Sequence, residues 1–277
     1  MEYVAAGDAR IPALGLGTWQ VAGERCEETV RTALELGYRH VDTAQAYGNE
    51  AAVGRGLAAA DVDREDVFLT TKVWRSNLRR GDLQASVRDS LDALGVAAVD
   101  CLLLHWPHPR VPAAESLAAA AELVDDGLVR YLGVSNYTRE GLDVARAASD
   151  VPLVTDQVQY HPYVDQSSLL SYCCEHDLAL TAYSPLARGA VLDDPVLAEI
   201  GDRYGNSAAQ VALRWLVQQP GVVAIPKATG VEHLRENRDV FDFALTDAEM
   251  ARVGERTGGL RVRLRAALPG LVRRFPF

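Results

Sequence analysis

The sequence alternates short apolar segments with longer segments whose apolar residues recur at the three- and four-residue spacing of a helix. The short segments have the length of strands. One of them, CLLLHW, is apolar almost throughout, as expected for a strand that is covered on both faces. Regular strand–helix alternation is typical of a parallel sheet. We therefore expect eight barrel strands, near residues 14–18, 38–42, 67–72, 99–105, 129–135, 153–158, 178–183 and 222–226.

The intervening segments predict helices, with additions at both ends of the repeat. Between strands seven and eight the sequence predicts two helices where the repeat requires one. Thr246 and Glu249 have the spacing of a capping box, which predicts the start of a further helix. Gly7 and Asp8 separate two short strand-like segments and predict a hairpin that covers the bottom of the barrel. The helices are expected at 24–36, 50–59, 83–94, 115–125, 139–147, 165–176, 195–204, 207–218 and 232–238.

Eight strand–helix units predict an α/β fold, a single eight-fold (β/α)8 TIM barrel with an N-terminal hairpin cap, extra helices and a short C-terminal tail. The length of 277 residues suits one such barrel, and the 48% of apolar residues can fill one large core. We interpret residues 1–277 as a single domain. The barrel occupies about 11–240, and a C-terminal helix and an Arg-rich tail occupy about 246–277.

The sequence lacks the two patterns that would indicate a membrane-bound or secreted protein. No apolar run approaches the roughly 20 residues that span a bilayer. The N-terminus lacks the basic and then apolar segments of a signal peptide. The four cysteines, Cys26, Cys101, Cys173 and Cys174, have no metal-ligand spacing. We therefore expect a cytoplasmic protein with free thiols and no membrane partner.

The charge distribution is unusual. The net charge is −10, and Lys72 and Lys227 are the only lysines, whereas residues 256–277 contain six arginines and no acid. An acidic surface poor in lysine argues against nucleic acid as the main partner. Two explanations of the composition stay open: adaptation to concentrated salt, as in a halophile, or a GC-rich genome that favours Arg codons.

Polar residues follow the predicted strands at the end where a barrel gathers its active site. Asp42 closes strand two, Lys72 closes strand three and His105 closes strand four, while Tyr47 lies on the loop after Asp42. A phenol titrates too high to be an efficient acid at neutral pH, and a neighbouring cation lowers its pKa. Asp42, Lys72 and Tyr47 therefore form a candidate proton relay, and His105 can orient a substrate oxygen. Alone, each would be read as a packed structural residue, as we read His40 and His161.

These segments resemble the aldo-keto reductase family, and in particular its prokaryotic diketogluconate reductase group. The similarity runs from about residue 11 to residue 247 and includes GYRHVDTAQAYGNE, TTKVW and LLLHWP. The resemblance implies a monomeric barrel that reduces aldehydes and ketones with NADPH. It implies that Tyr47 is the general acid, that Lys72 lowers the pKa of Tyr47, that Asp42 pairs with Lys72 and that His105 orients the carbonyl.

The resemblance also implies cofactor residues. The residues at the nicotinamide would be Thr18, Trp19, Ser135, Asn136, Gln157 and Tyr183. Those at the pyrophosphate would be Ser184, Leu186 and Gly189. Those at the adenosine phosphate would be Lys227, His233, Glu236 and Asn237. The sequence departs from the family at Ala228, where a serine is common, and at His233, where an arginine usually contacts the extra phosphate of NADPH. Histidine is a weaker phosphate partner, so NADH use is also expected.

Substrate selection in this family depends on residues around the barrel mouth, which implies roles for Trp19, Tyr47, Trp74, His105 and Trp106. We also expect the Arg-rich tail to dock on the acidic barrel beside the mouth. Packing under the barrel for stability and binding to a partner or a membrane surface stay open as alternatives. One alternative is a cofactor-binding sensor or regulatory protein with slow turnover, since the fold does not fix function. A metal-dependent hydrolase is disfavoured, because the strand ends offer one His and one Asp with a lysine between them, and we expect no metal.

Overall fold

The structure, a computed structural model, describes residues 1–257. Within these residues a two-stranded antiparallel hairpin precedes an eight-stranded sheet in which every neighbouring pair is parallel. The strands are β1 (Tyr3–Ala6), β2 (Ala9–Pro12), β3 (Leu16–Gly17), β4 (His40–Asp42), β5 (Phe68–Val73), β6 (Val99–Leu104), β7 (Val129–Ser135), β8 (Leu153–Gln159), β9 (Ala179–Tyr183) and β10 (Val222–Ala224).

Helices connect the barrel strands, and their apolar sides pack onto the outside of the sheet. The α-helices are α1 (Gly23–Glu35), α2 (Glu50–Ala59), α3 (Arg80–Leu94), α4 (Ala113–Asp125), α5 (Arg139–Ala148), α6 (Ser167–Glu175), α7 (Pro195–Tyr204), α8 (Ala208–Val217), α9 (Val231–Arg238) and α10 (Asp247–Gly254). Short 3-10 helices lie at Gln45–Tyr47, Arg64–Asp66, Arg75–Asn77, Ala187–Asp193 and Asp239–Phe241.

The barrel closes between its first and last strands. Leu14 forms a parallel bridge with Ala224, and the backbone N–H of Gly17 donates to Pro226 O at 3.0 Å. A Cβ added at Gly17 would lie 2.7 Å from Ile225 O, so glycine permits the close approach of the two strands. Closure places all strand C-termini on one face of the barrel.

The hairpin of β1 and β2 covers the opposite end. Ala6, Ala9 and Ile11 are buried in a small apolar cluster with residues from the starts and interiors of the barrel strands, among them Phe68 and Ala179. Gly7 has a positive φ of 52°, as the predicted turn requires. The hairpin therefore forms the bottom of the barrel and leaves the other face for the site.

The predicted fold is confirmed, with small shifts of element boundaries. The capping box at Thr246 and Glu249 is present and starts α10. The predicted helix 165–176 instead begins at Ser167, because Asp165 Oδ1 accepts the backbone N–H of Ser167 and holds the chain in a turn. The expected docking of the Arg-rich tail involves residues after Thr257, which lie outside the described part of the chain. No helix among residues 1–257 is long and apolar enough to cross a membrane.

Candidate active site

A fully buried lysine links the polar ends of β4 and β5. Lys72 Nζ donates to Asp42 Oδ1 at 2.5 Å, to the carbonyl oxygen of Thr43 at 2.9 Å and to the hydroxyl of Tyr47 at 3.3 Å. Its side chain is 0% exposed. Burying an ammonium costs several kcal/mol unless it is paired, and these three contacts use all of its donors. The structure thus brings the three relay residues of the sequence prediction together.

Burial and charge act in opposite directions on the pKa of Tyr47. Burial raises the pKa of the phenol, the positive charge of Lys72 lowers it, and the net direction is upward. For Lys72, burial lowers the pKa, but Asp42 and Tyr47 outweigh that effect and raise it. The sequence prediction included the effect of Lys72 and omitted the larger effect of burial. Tyr47 is therefore protonated at neutral pH and lies against a permanent cation.

His105 completes the group of four residues at the mouth. Its ring centroid lies 5.9 Å from that of Tyr47 and 5.1 Å from that of Trp74, and both pairs meet edge to face. Burial and the charge of Lys72 lower the pKa of His105 to about 3. The imidazole is therefore neutral at physiological pH and has one N–H to donate.

The second oxygen of Asp42 connects the relay to β8. Gln157 Nε2 donates to Asp42 Oδ2 at 2.7 Å, and Gln157 O accepts from the hydroxyl of Ser135 at 2.8 Å. The side chain of Asn136 donates to Ser135 Oγ and to His105 O, and it accepts from the hydroxyl of Tyr183 at 2.9 Å. Four residues that we assigned to the nicotinamide thus form one hydrogen-bonded cluster with the relay.

The loops after β3 and β9 meet across the mouth. Thr18 donates to Asp42 O at 2.9 Å, while Trp19 is partly exposed with the guanidinium of Arg188 5.5 Å from its ring centroid. The segment 184–189 has positive φ at Ser184, Ala187, Arg188 and Gly189, three of which are not glycine. Such backbone angles cost energy and are characteristic of functional segments. Arg188 was not assigned a role from the sequence.

The segment after β10 carries the positions that we assigned to an adenosine phosphate. Lys227, His233 and Glu236 are exposed, whereas Asn237 is buried. Arg25, in the first turn of α1, donates through Nη2 to Thr229 Oγ1 at 2.7 Å. This arginine brings a further cation to the segment from 204 residues away in the sequence.

Two amide side chains hold the loop that carries Tyr47. Gln45 Nε2 donates to Ser86 O at 3.1 Å, and Gln45 Oε1 accepts from the backbone N–H of Trp74 at 3.0 Å. Asn49 Nδ2 donates to Thr18 O and to Val21 O at 2.9 and 2.8 Å. Both residues lie within the HVDTAQAYGNE segment, yet their partners depend on tertiary packing. The sequence predicts that this segment is part of the site, but it does not predict that Gln45 and Asn49 hold the loop of Tyr47 in place.

His40 and His161 lie away from this group of four. The Nε2 atom of His40 lies 3.3 Å from Thr70 Oγ1, and burial lowers the pKa of His40 to about 4. His161 contacts Gln159 through Nε2 at 3.0 Å and accepts from the backbone N–H of Tyr163. Both are packed, hydrogen-bonded residues. Among residues 1–257 no group of three or more His, Cys, Asp or Glu side chains is arranged to hold a metal ion.

Asp156, the neighbour of Gln157 on β8, points to the other side of the strand and is 0% exposed. Its Oδ1 lies 3.5 Å from the backbone N–H of Tyr137, and its Oδ2 has no partner in the described part. Burial raises the pKa of this carboxyl well above its usual value. Tyr137 and Cys173 lie nearby, and burial raises the pKa of each to about 12. Among residues 1–257, Asp156 has no cation as a partner.

Asp156→Asn is expected to remove part of the pH dependence of stability. Because the pKa of Asp156 is raised on folding, its contribution is fully present below the unfolded pKa of about 3.9 and is lost as the pH rises through the folded pKa. The variant should match the wild type near pH 4 and become the more stable of the two as the pH rises toward 8, by about 1.4 kcal/mol for each unit by which burial raises the pKa of the carboxyl, because the amide cannot ionise. Urea unfolding between these pH values measures this, and Asp202→Asn, at an exposed position of α7, is the control. Parallel pH curves for wild type and Asp156→Asn would contradict the assignment.

At the mouth of the closed parallel barrel, a buried lysine–aspartate pair lies beside a tyrosine and a neutral histidine. This arrangement defines an enzyme-like class of site. Comparison with known proteins identifies the family. It matches the aldo/keto reductase family over residues 13–256. The chain therefore belongs to the aldo/keto reductase family and is an oxidoreductase of that family, whose members generally use nicotinamide cofactors.

Individual relatives support this placement along nearly the whole chain. An uncharacterized oxidoreductase, YtbE, of Bacillus subtilis (strain 168) is 39% identical over 257 residues, covering 91% of each chain. Morphine 6-dehydrogenase of Pseudomonas putida is 40% identical over 268 residues, covering 91% of this chain and 90% of its own. The crystal structure of a putative 2,5-diketo-D-gluconic acid reductase B has a TM-score of 0.91 and 48% identity, covering 93% of this chain and 92% of that one.

Proposed function

We propose that the protein reduces aldehydes and ketones to alcohols with a nicotinamide cofactor, that it accepts NADPH and NADH, with NADPH preferred, and that Tyr47 donates the proton. The observation that carries this proposal is the contact of Lys72 Nζ with Tyr47 at 3.3 Å and with Asp42 at 2.5 Å. A proton donor must be protonated before the reaction and must be stabilised as an anion after it. Tyr47 meets both conditions, because burial keeps it protonated and Lys72 favours the phenolate that remains.

Each of the other residues prepares this proton transfer. His105 is neutral and can donate one hydrogen bond to the carbonyl oxygen, which orients it toward the hydroxyl of Tyr47. Asp42 balances the charge of Lys72, and Gln157 fixes the second oxygen of that carboxylate. The proton then passes from the Tyr47 oxygen to the substrate oxygen. Trp74 packs against the His105 ring and limits its rotation.

The residues at the mouth fit a nicotinamide cofactor, which would supply the hydride. Ser135, Asn136 and Gln157 present hydroxyl and amide groups that match a carboxamide. Tyr183 presents a flat ring for stacking beside them. The segment 184–189 and the cations Lys227 and Arg25 fit the phosphates.

His233→Arg is expected to sharpen a weak preference for NADPH over NADH. A charge-assisted contact to the extra phosphate is worth roughly 1.5–3 kcal/mol, so the ratio of the two Kd values should change by about ten-fold or more. Equilibrium fluorescence titration of both cofactors with both proteins measures the ratio without turnover. An unchanged ratio would contradict a missing phosphate contact at position 233. Arg25→Ala then distinguishes the two remaining cations: it should weaken NADPH binding alone if Arg25 binds the phosphate, and leave it unchanged if Lys227 does.

The direct test of activity is a screen of carbonyl compounds with purified protein, following the absorbance of NADPH. We expect turnover with simple aldehydes that requires Tyr47. Cofactor binding without consumption across the whole panel would instead support the sensor or regulatory alternative.

A further inference from the structure

An ion pair joins the end of the described chain to the start of α7. Arg256 follows α10, and its Nε and Nη2 atoms donate to Asp194 Oδ2 at 3.0 and 2.8 Å. The side chain of Asp194 is 3% exposed, and that of Arg256 is 32% exposed. Hydrogen bonds between charged partners are roughly twice as strong as neutral ones. The guanidinium therefore holds a nearly buried carboxylate across 62 residues of sequence.

Asp194 accepts further hydrogen bonds, so both of its oxygens are occupied. Oδ1 accepts the backbone N–H of Val196 at 2.9 Å and caps the first turn of α7. Oδ2 also accepts the hydroxyl of Tyr163 at 2.8 Å, and this hydroxyl lies 3.4 Å from Ala190 O. Burial raises the pKa of the Asp194 carboxyl, but its hydrogen bonds and the charge of Arg256 outweigh that effect and lower the pKa. Asp194 is therefore ionised at neutral pH and fixed in place.

The segment 184–193 ends at this fixed carboxylate. It contains the positions that we assigned to the pyrophosphate of the cofactor. Four of its residues have positive φ, and three of these are not glycine. Such backbone angles persist only where the surrounding structure holds them. Tyr183 of β9 holds the start of the segment, Val191 is buried in the core, and Asp194 holds the end.

We propose that Arg256, Asp194 and Tyr163 form an anchor that positions the segment 184–193 against the pyrophosphate of a bound nicotinamide cofactor and slows cofactor release. The proposal rests on the proposed function and adds a control of the cofactor from outside the barrel. Loops that close over a ligand determine its release rate in many enzymes. Arg256 acts through Asp194, so it is a positioning residue and not a catalytic one.

Arg256→Met tests the anchor, and Arg252→Met is its matched control. Both arginines pair with a carboxylate at α7, but Arg252 lies within α10 and contacts the exposed Glu199, which is not joined to the segment 184–193. Arg256→Met should raise the dissociation rates of NADPH and NADH by about five-fold or more, as is typical of coupling between two sites. The two increases should be equal, because both cofactors contain the pyrophosphate. Arg252→Met should leave both rates unchanged.

Stopped-flow fluorescence, after the complex is mixed with excess oxidised cofactor, measures these rates without turnover. Thermal unfolding of the same variants separates positioning from stability. A merely structural ion pair would lower the melting temperature of Arg256→Met and leave cofactor release unchanged.

Tyr163→Phe provides a second variant, which removes one donor to the same oxygen and no charge. It should raise both dissociation rates in the same direction and by a smaller factor. Tyr160→Phe is its control, because the hydroxyl of Tyr160 donates to Gln219 and not to Asp194.

Unchanged release in both Arg256→Met and Tyr163→Phe would overturn the anchor. An equal increase in Arg252→Met would also overturn it, since the effect would then be a general loosening of α7 and α10. A selective increase supports the anchor even if the protein reduces no carbonyl compound, in which case only the proposed activity fails. A wild type that bound neither cofactor would overturn both.

Discussion

Tyr47→Phe is expected to lower the rate of carbonyl reduction by about 10²–10⁴-fold, the contribution of a well-placed general acid. The variant loses only the hydroxyl that contacts Lys72 Nζ at 3.3 Å and keeps the ring that packs against His105. The Kd for NADPH should change little, because the hydrogen-bonded cluster of Ser135, Asn136 and Gln157, which we propose binds the nicotinamide, remains intact. Single-turnover measurement of NADPH oxidation isolates the chemical step.

Tyr131→Phe is the matched control for this variant. The hydroxyl of Tyr131 donates to Asp8 O at 3.3 Å, at the hairpin end of the barrel, so its loss should leave turnover unchanged. If Tyr47→Phe kept more than about a tenth of the wild-type single-turnover rate, a loss far below that expected of a general acid, Tyr47 would not be the proton donor.

Lys72→Met is expected to reduce activity and stability together. The substitution leaves Asp42 buried with only its Gln157 contact, and removing one partner of a buried ion pair costs about 3–5 kcal/mol. It also removes the charge that lowers the pKa of Tyr47, so burial raises that pKa without opposition. The single-turnover rate should therefore fall by at least about ten-fold, one pKa unit of lost driving force being worth 1.36 kcal/mol.

Thermal unfolding checks that the Lys72→Met variant is folded at the assay temperature. A lower melting temperature together with an unchanged rate would show that Lys72 has a structural role only. An unchanged melting temperature would contradict the buried ion pair.

The barrel and the polar residues at three strand ends could be predicted, because both depend on local patterns in the sequence. Strand–helix alternation defines parallel strands, and closure brings Asp42, Lys72 and His105 to one face whatever the details of packing. The start of α6 was misplaced by two residues, because an aspartate can serve a turn or a helix start and only the hydrogen bond of Asp165 decides between them.

Contacts between distant segments could not be predicted. Gln157 binds Asp42 across 115 residues, and Arg25 reaches Thr229 across 204, through packing that no local pattern reports. The net pKa direction of Tyr47 depends on how deeply the ring is buried, which spacing along the chain does not give. The ion pair of Arg256 with Asp194 joins segments 62 residues apart and has no motif of its own.

Tyr47 and Lys72 are expected to act as one unit in proton transfer, and a double-mutant cycle tests this. The single-turnover rate of NADPH oxidation would be compared for wild type, Tyr47→Phe, Lys72→Met and the double variant, at saturating cofactor and substrate. Because Lys72 acts through the Tyr47 hydroxyl, the double variant should be slower than Tyr47→Phe by less than about three-fold, as is common for residues that act together. A double variant whose loss equals the product of the two single losses would contradict the relay.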